Sequence, residues 1–312
     1  MSLLEIKNLK VSFGDKKAVD DVSISLQPGE IVGLVGESGC GKSLTALSIL
    51  GLTPINSSLS GEIIFKSKNL LVLTEDEKRI IRGNEISLIP QDPLSALNPV
   101  FSIGDQILET VKAHKDVSNA EAMKSSINAL SSVQIPASES RFNNYPHEFS
   151  GGMRQRVLIA MAIVNEPDLL IADEPTTALD VTVQLQILNI MKDLRSKGKS
   201  ILLITHDLGI VSEICDRVYV MYLGKIIESA QTQDLLKNPK HPYTKGLLNS
   251  LPSIHKQTLT PIKGQPPNIS SIPSGCSFHP RCEFVFDKCN SESPELYACG
   301  SNHFFRCFLE DK

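Results

Sequence analysis

The chain has 312 residues, 41% of them hydrophobic and 21% charged, with a formal net charge of −4. That length supports one large domain plus a smaller one, and the composition is that of an ordinary globular protein. The weak acidity excludes a global basic bias toward nucleic acid or anionic lipid, and no run approaches the ~20 apolar residues of a membrane-spanning helix.

The opening residues, Met1-Ser2-Leu3-Leu4-Glu5-Ile6-Lys7-Asn8, alternate polar with apolar and lack the apolar block of a secretory signal. The chain is therefore expected to fold in the cytoplasm and to meet a membrane only through a partner. Alternation over residues 3–13 and 18–26 predicts two strands around a turn at Gly14-Asp15-Lys16. Phe13, at the end of the first, reads by itself as a half-buried strand residue. Ile31-Val32-Gly33-Leu34-Val35 is a continuous apolar run, as in a strand buried on both faces.

Gly36-Glu37-Ser38-Gly39-Cys40-Gly41-Lys42-Ser43 follows, and residues 44–50 read as a helix that stops at Gly51. A strand, a Gly-rich turn ending Gly-Lys-Ser and a helix make a phosphate-binding loop. The glycines permit positive φ and close backbone approach, so successive N–H groups can face phosphate oxygens. The helix from Lys42 presents its partial positive end to the same anion. Lys42 would reach the β- and γ-phosphates and the Ser43 hydroxyl would hold Mg²⁺.

Residues 60–67 alternate like another strand. Thr74 and Glu77 have capping-box spacing, predicting a short helix to about Arg82. A strand over 85–89 runs into Pro90-Gln91-Asp92-Pro93, which cannot continue as a central strand. Residues 103–135 carry helical patterning, with a second capping box from Ser118 to Glu121, so 92–160 reads as a helical insert in an α/β domain. Ser150-Gly151-Gly152 precedes a helix over 157–164, a second place where backbone N–H groups meet a helix N-terminus. Asp168 opens an apolar strand ending at Asp173 and Glu174, and Pro175 forbids its continuation. Carboxylates at the carboxyl end of a buried parallel strand face the ligand crevice. The run 201–205 repeats the arrangement with His206 at its end, where a histidine taken alone reads as structural. Ala178-Leu179-Asp180 opens a helix over 182–196, and 218–223 with 225–228 reads as a hairpin around Gly224. Strands alternating with helices predict a parallel sheet with covering helices.

The order of phosphate-binding loop, Gln91, Ser150-Gly151-Gly152, Asp173-Glu174, Ala178-Leu179-Asp180 and His206 resembles the ATP-binding subunit of ABC transporters over roughly residues 1–235. The resemblance implies a RecA-like α/β nucleotide-binding domain at 1–235 with a helical subdomain at about 92–160, and a small Cys-rich domain at 236–312. It implies that Phe13 stacks on adenine and that Gly36, Ser38, Gly39, Cys40, Gly41, Lys42, Ser43 and Leu44 hold ATP. Ser43, Gln91 and Asp173 would serve Mg²⁺, Glu174 would be the general base, and His206 would contact the γ-phosphate. Ser150, Gly151 and Gly152 would meet ATP bound to an opposing cassette, with Asp180 at the interface between the two. Met153 and Phe149 depart from the family's common Gln and Leu, as in importer cassettes of the peptide type.

The stretches Gln91-Asp92-Pro93-Leu94-Ser95-Ala96-Leu97-Asn98-Pro99 and His241-Pro242-Tyr243-Thr244-Lys245 are similar to oligopeptide/dipeptide permease ATPases. So are Gly264-Gln265-Pro266-Pro267 and Gly275-Cys276-Ser277-Phe278-His279-Pro280-Arg281-Cys282. This likeness implies an importer of di- or oligopeptides at the cytoplasmic face of the membrane. Its partners would be two membrane-spanning permease subunits, a second homologous ATPase and an external solute-binding protein. Nickel or metal chelates and oligosaccharides are alternative cargoes within the same family. A soluble ABC ATPase acting on nucleic acid or the ribosome is the alternative from another class, but neither long coiled coils nor a second cassette is present. No nucleic-acid partner is expected.

Five of the seven cysteines crowd the tail. Cys276, Cys282, Cys289 and Cys307 are separated by five, six and seventeen residues, unlike the close pairs of common zinc modules. Relatives with this tail resemble holders of a [4Fe-4S] cluster on four thiolates. Zinc, aided by His279 and His303, and cysteines that only pack are the other readings, and Cys299 is an alternative to Cys307.

Overall fold

The computed structural model describes residues 2–177, 179–251, 262–300 and 302–311. Ala178 of the Ala178-Leu179-Asp180 segment, and 252–261 of the expected tail domain, lie outside the described residues. The chain forms two compact units, one of Met1–Gln27, Ile31–Leu71 and Ile204–Lys312, the other of Pro28–Glu30 and Val72–Leu203.

In the first unit, strand Leu4–Phe13 lies between Lys16–Leu26 and Ser58–Phe65, antiparallel to both. Leu4, Ile6, Leu9 and Val11 are buried, and a register irregularity between Ile6 and Leu9 shifts the alternation by one residue so that both pairs face inward. All five residues of Ile31–Val35 are buried, and this strand pairs in parallel with Arg217–Tyr222, from Val32 opposite Arg217 to Val35 opposite Val220. Arg217–Tyr222 then turns at Leu223 and Gly224 into the antiparallel strand Lys225–Gln231.

The tail is built onto this framework. Helices Thr232–Lys237 and Pro242–Asn249 follow the hairpin, and the short strand Phe304–Phe305 pairs with Lys225–Gln231, setting Phe305 opposite Glu228. Tyr222, Tyr243 and Phe278 form a buried aromatic cluster with ring centroids 4.7 to 5.4 Å apart. Tyr243 and Phe278 of the tail thus pack on Tyr222, at the end of the strand beside Ile31–Val35.

The second unit is mostly helical. Helix Glu75–Ile81 carries the capping box of Thr74 and Glu77, and Asn119–Ser132 that of Ser118 and Glu121. The pattern over 103–135 resolves into two helices, Ile103–Lys112 and Asn119–Ser132, separated where Ser118 caps the second. Strands Ile86–Ile89 and Leu169–Asp173 pair in parallel. Helix Gly151–Ile163 starts six residues before the predicted 157, since Ser150 caps it and both glycines sit in its first turn. Helix Val181–Ser196 follows, and strand Ser200–Thr205 begins in this unit and ends in the first. Among the described residues, no helix is long and apolar enough to cross a membrane.

Candidate functional site

In the first unit, strand Ile31–Val35 delivers the chain to Gly36. A Cβ there would stand 2.2 Å from the Met221 carbonyl oxygen, so only glycine fits. The loop turns through positive φ at Gly39 (78°) and Gly41 (109°), and Gly41 opens helix Lys42–Leu50 with no side-chain cap. The first helical N–H groups are therefore left to the loop's own occupant. Ser38, Gly39 and Ser43 are exposed and Leu44 is half-buried.

Lys42 is buried, and its Nζ donates to Gly36 O at 2.7 Å and Glu37 O at 2.9 Å. The ammonium thus sits inside the loop, where phosphate oxygens would compete with two carbonyls for its protons. Burial pushes the Cys40 thiol up more than the neighbouring Lys42 charge draws it down, so Cys40 is a neutral wall of the loop. Residues 37–40 also bound a cleft of about 230 Å³, whose other side is formed by 266–269 of the tail. Phe13 ends its strand half-buried, paired with Lys16 across the turn. His206 is exposed, just before helix Leu208–Ile214 and its cap Asp207.

In the second unit, strand Leu169–Asp173 is buried through Ala172. Glu174 follows with φ 47°, a left-handed conformation that costs a non-glycine residue roughly 1–2 kcal/mol. Its Oε2 accepts from Gln91 Nε2 at 3.2 Å and from Thr177 Oγ1 at 2.9 Å. Two neutral donors from separate segments fix this carboxylate, and a carboxylate has acceptor sites to spare for a water. Hydroxyl, amide and carboxylate oxygens at Ser43, Gln91 and Asp173 are the donor types that suit Mg²⁺.

Ser150 Oγ accepts the Met153 N–H at 3.3 Å, and Asp180 Oδ1 accepts the Val183 N–H at 2.9 Å. The two capped helices meet closely, since a Cβ on Gly152 would lie 2.4 Å from Val183 Cγ1. The structure thus brings together Gln91 with Glu174, and Gly152 with the helix that Asp180 caps. Gly151 beside it is exposed.

The tail cysteines are free thiols. The Cys276 N–H donates to Cys289 O at 2.9 Å. Burial pushes the Cys307 thiol up to about 11, with Cys276, Cys282 and Cys289 adding to the rise as neighbouring potential charges. The Cys299 N–H donates to His303 O at 2.7 Å. His303 Nε2 is bonded to Glu228 at 2.7 Å and His279 Nδ1 lies 3.0 Å from Cys276 O. Among the described residues no group of three or more His, Cys, Asp or Glu side chains is gathered as for a metal ion. This holds for the expected set Cys276, Cys282, Cys289 and Cys307 as it does for the histidine-assisted zinc alternative. The thiol donor set matches an iron–sulfur cluster in kind, and the arrangement goes no further than that.

Sequence reasoning missed Thr177, Tyr243 and Arg281. The Tyr243 hydroxyl accepts the Glu37 N–H at 2.9 Å, and Arg281 is paired with the Glu37 carboxylate. Both tail residues fall in stretches singled out by resemblance, but nothing local reveals a partner more than 200 positions away.

A family profile described as "ABC transporter" matches residues 19–177, and one described as "Oligopeptide/dipeptide transporter, C-terminal region" matches residues 227–289. The dipeptide transport ATP-binding protein DppD of Bacillus subtilis (strain 168) is 48% identical over 319 residues, 99% of this chain and 95% of that protein. The oligopeptide transport ATP-binding protein OppD of Salmonella typhimurium is 45% identical, over 98% of this chain and 93% of that one. Among solved structures, the dimeric post-hydrolysis ATP-binding cassette MJ0796 bound to ADP and phosphate is similar with a TM-score of 0.65 at 26% identity. It spans 73% of this chain and 98% of its own. CbiO1 of Clostridium perfringens, part of an ABC transporter complex, aligns with a TM-score of 0.66 at 27% identity, over 76% and 91% of the two chains.

Proposed function

This chain belongs to the ABC transporter family, and we propose that it is the ATP-binding and ATP-hydrolysing subunit that energises an importer of di- or oligopeptides. The observation that carries the reading is Lys42, buried inside a glycine-rich loop that leads into an uncapped helix N-terminus. Relatives named for dipeptide and oligopeptide transport, similar across nearly the whole chain, support the cargo class.

The loop N–H groups and Lys42 bind the phosphates, and Ser43, Gln91 and Asp173 are the oxygen donors assigned to Mg²⁺, which neutralises phosphate charge when bound. Glu174 takes a proton from the attacking water as that oxygen bonds to the γ-phosphorus and the bond to the bridging oxygen breaks. His206 is assigned to the γ-phosphate, and Phe13 to the adenine face. Ser150, Gly151 and Gly152 serve ATP on a second, homologous cassette, with Asp180 at that interface. The remaining partners are two permease subunits, through which the chain reaches the cytoplasmic face of the membrane, and an external solute-binding protein.

The test is transport in vesicles holding the whole assembly. Peptide uptake should require ATP, and Lys42→Ala should abolish both nucleotide binding and uptake. ATP-driven uptake of a metal chelate or an oligosaccharide, with none of peptide, would reassign the cargo.

For the tail we propose a structural [4Fe-4S] cluster on Cys276, Cys282, Cys289 and Cys307. It is supported by four cysteines outside any disulfide, with the Cys276 N–H donating to Cys289 O at 2.9 Å. Anaerobically purified protein should contain iron and absorb visible light; colourless, iron-free protein refutes the cluster.

A further inference from the structure

Glu37 is the one acidic residue within the phosphate-binding loop. An unbalanced carboxylate there would repel the triphosphate the loop receives. Its charge is met from the tail. Arg281 Nη1 donates to Oε2 at 2.6 Å and Nη2 to Oε1 at 2.9 Å, the parallel two-bond pairing of guanidinium and carboxylate. The Arg281 side chain is 4% exposed and that of Glu37 27%. Arg281 is itself fixed: Nε donates to Lys263 O at 3.0 Å, Nη2 to Gly264 O at 3.1 Å, and the guanidinium lies 5.9 Å from the ring centres of Tyr222 and Phe278.

The backbone of Glu37 carries the link onward. Its N–H is held by the Tyr243 hydroxyl at 2.9 Å, and its carbonyl holds Lys42 Nζ at 2.9 Å. One loop residue is thus gripped by the tail at its N–H and its side chain, and grips the phosphate lysine at its oxygen. The same arginine tethers Lys263 and Gly264, next to the segment 266–269 that walls the cleft over the loop.

We propose that Arg281 is a positioning residue of the nucleotide site: it neutralises Glu37 and fixes its peptide, so that the docked tail sets the loop's affinity for a nucleoside triphosphate. This rests on the reading of the loop as the ATP site. Arg281 acts through Glu37, so its removal should weaken binding chiefly by leaving a carboxylate uncompensated beside the phosphates. Deleting that carboxylate should then undo the damage, which a merely structural arginine would not allow.

The experiment is calorimetric titration of the full-length protein with a non-hydrolysable ATP analogue. Arg281→Gln should raise Kd roughly tenfold or more, the order expected of one uncompensated charge close to the phosphates at a protein surface's effective dielectric, with an unchanged circular dichroism spectrum. Arg281→Gln with Glu37→Gln should recover most of the lost affinity. Should Arg281→Gln not fold, Arg281→Lys carries the test. It keeps the charge but not the two-bond geometry, and should raise Kd by a smaller factor that Glu37→Gln again relieves. An unchanged Kd in the folded single variant, or a loss that Glu37→Gln fails to relieve, overturns the proposal. Wild-type protein that does not bind the analogue, or Lys42→Ala that binds it normally, instead overturns the nucleotide-site reading.

Discussion

Gln91 and Glu174, 83 positions apart, are joined by a hydrogen bond of 3.2 Å from Nε2 to Oε2. The glutamine leaves strand Ile86–Ile89 and the glutamate leaves its parallel neighbour Leu169–Asp173, so adjacent strand ends deliver both groups to one place. The link puts the carboxylate assigned to water activation under the hand of a residue on the segment that opens the helical region.

Replacing that carboxylate by an amide should separate binding from chemistry. Glu174→Gln keeps the size and a hydrogen-bonding oxygen but cannot accept a full proton. Phosphate release by the assembled transporter should fall by about 10²–10⁴-fold, the usual worth of a general base, while ATP binding persists. Unchanged phosphate release would remove Glu174 from that role.

Gly152 is packed where no side chain fits. Gly152→Ala places a Cβ 2.4 Å from Val183 Cγ1, so two helices must part or Val183 must leave its rotamer. A loss of about 1–3 kcal/mol in urea unfolding is expected, as for other overpacked contacts. Val183→Ala in the same chain should recover most of it; equal stability of Gly152→Ala and wild type would show that the contact can give.

Acid should loosen the tail through His241. Its Nδ1 accepts the Tyr243 N–H at 3.0 Å, and burial holds its pKa down to about 4 against 6.5 when unfolded. The unfolded chain therefore binds a proton that the folded one refuses, and stability falls as pH drops from about 6.5 toward 4. The full effect is on the order of 3 kcal/mol. Glu228 acts in the same direction at lower pH. Burial raises its carboxyl, but hydrogen bonds from His303 and from the Lys240 and His241 N–H groups outweigh that and leave it low. Its stabilising contribution is present above the unfolded carboxyl value of 4.5 and is lost as pH falls through the lower folded value. Urea midpoints at pH 7.5 and 5 should differ clearly in wild type and much less in His241→Asn; equal midpoints in wild type would count against the burial argument.

Much of the local structure was legible in the residues. Capping boxes at Thr74 and Ser118, the buried run Ile31–Val35 and the Gly-Lys-Ser turn each depend on neighbours within four or five positions. Hydrogen-bond reach and side-chain period operate at that range, so the pattern is written directly in the chain. The split of 103–135 into two helices was half legible, because the cap at Ser118 was plain while the end of the first helix at Lys112 was not.

The supports of the site were decided only by the fold. Glu37 meets Arg281 across 244 positions, and Gly152 meets Val183 because two helices happen to touch there. A carboxylate beside a phosphate loop announces a need for a cation but not which one, since many arginines and lysines could supply it. Burial chose Arg281: the aromatic cluster of Tyr222, Tyr243 and Phe278 packs the tail against the loop and leaves that guanidinium facing Glu37. Short-range rules make the phosphate-binding loop, whereas long-range packing supplies the charge that balances it.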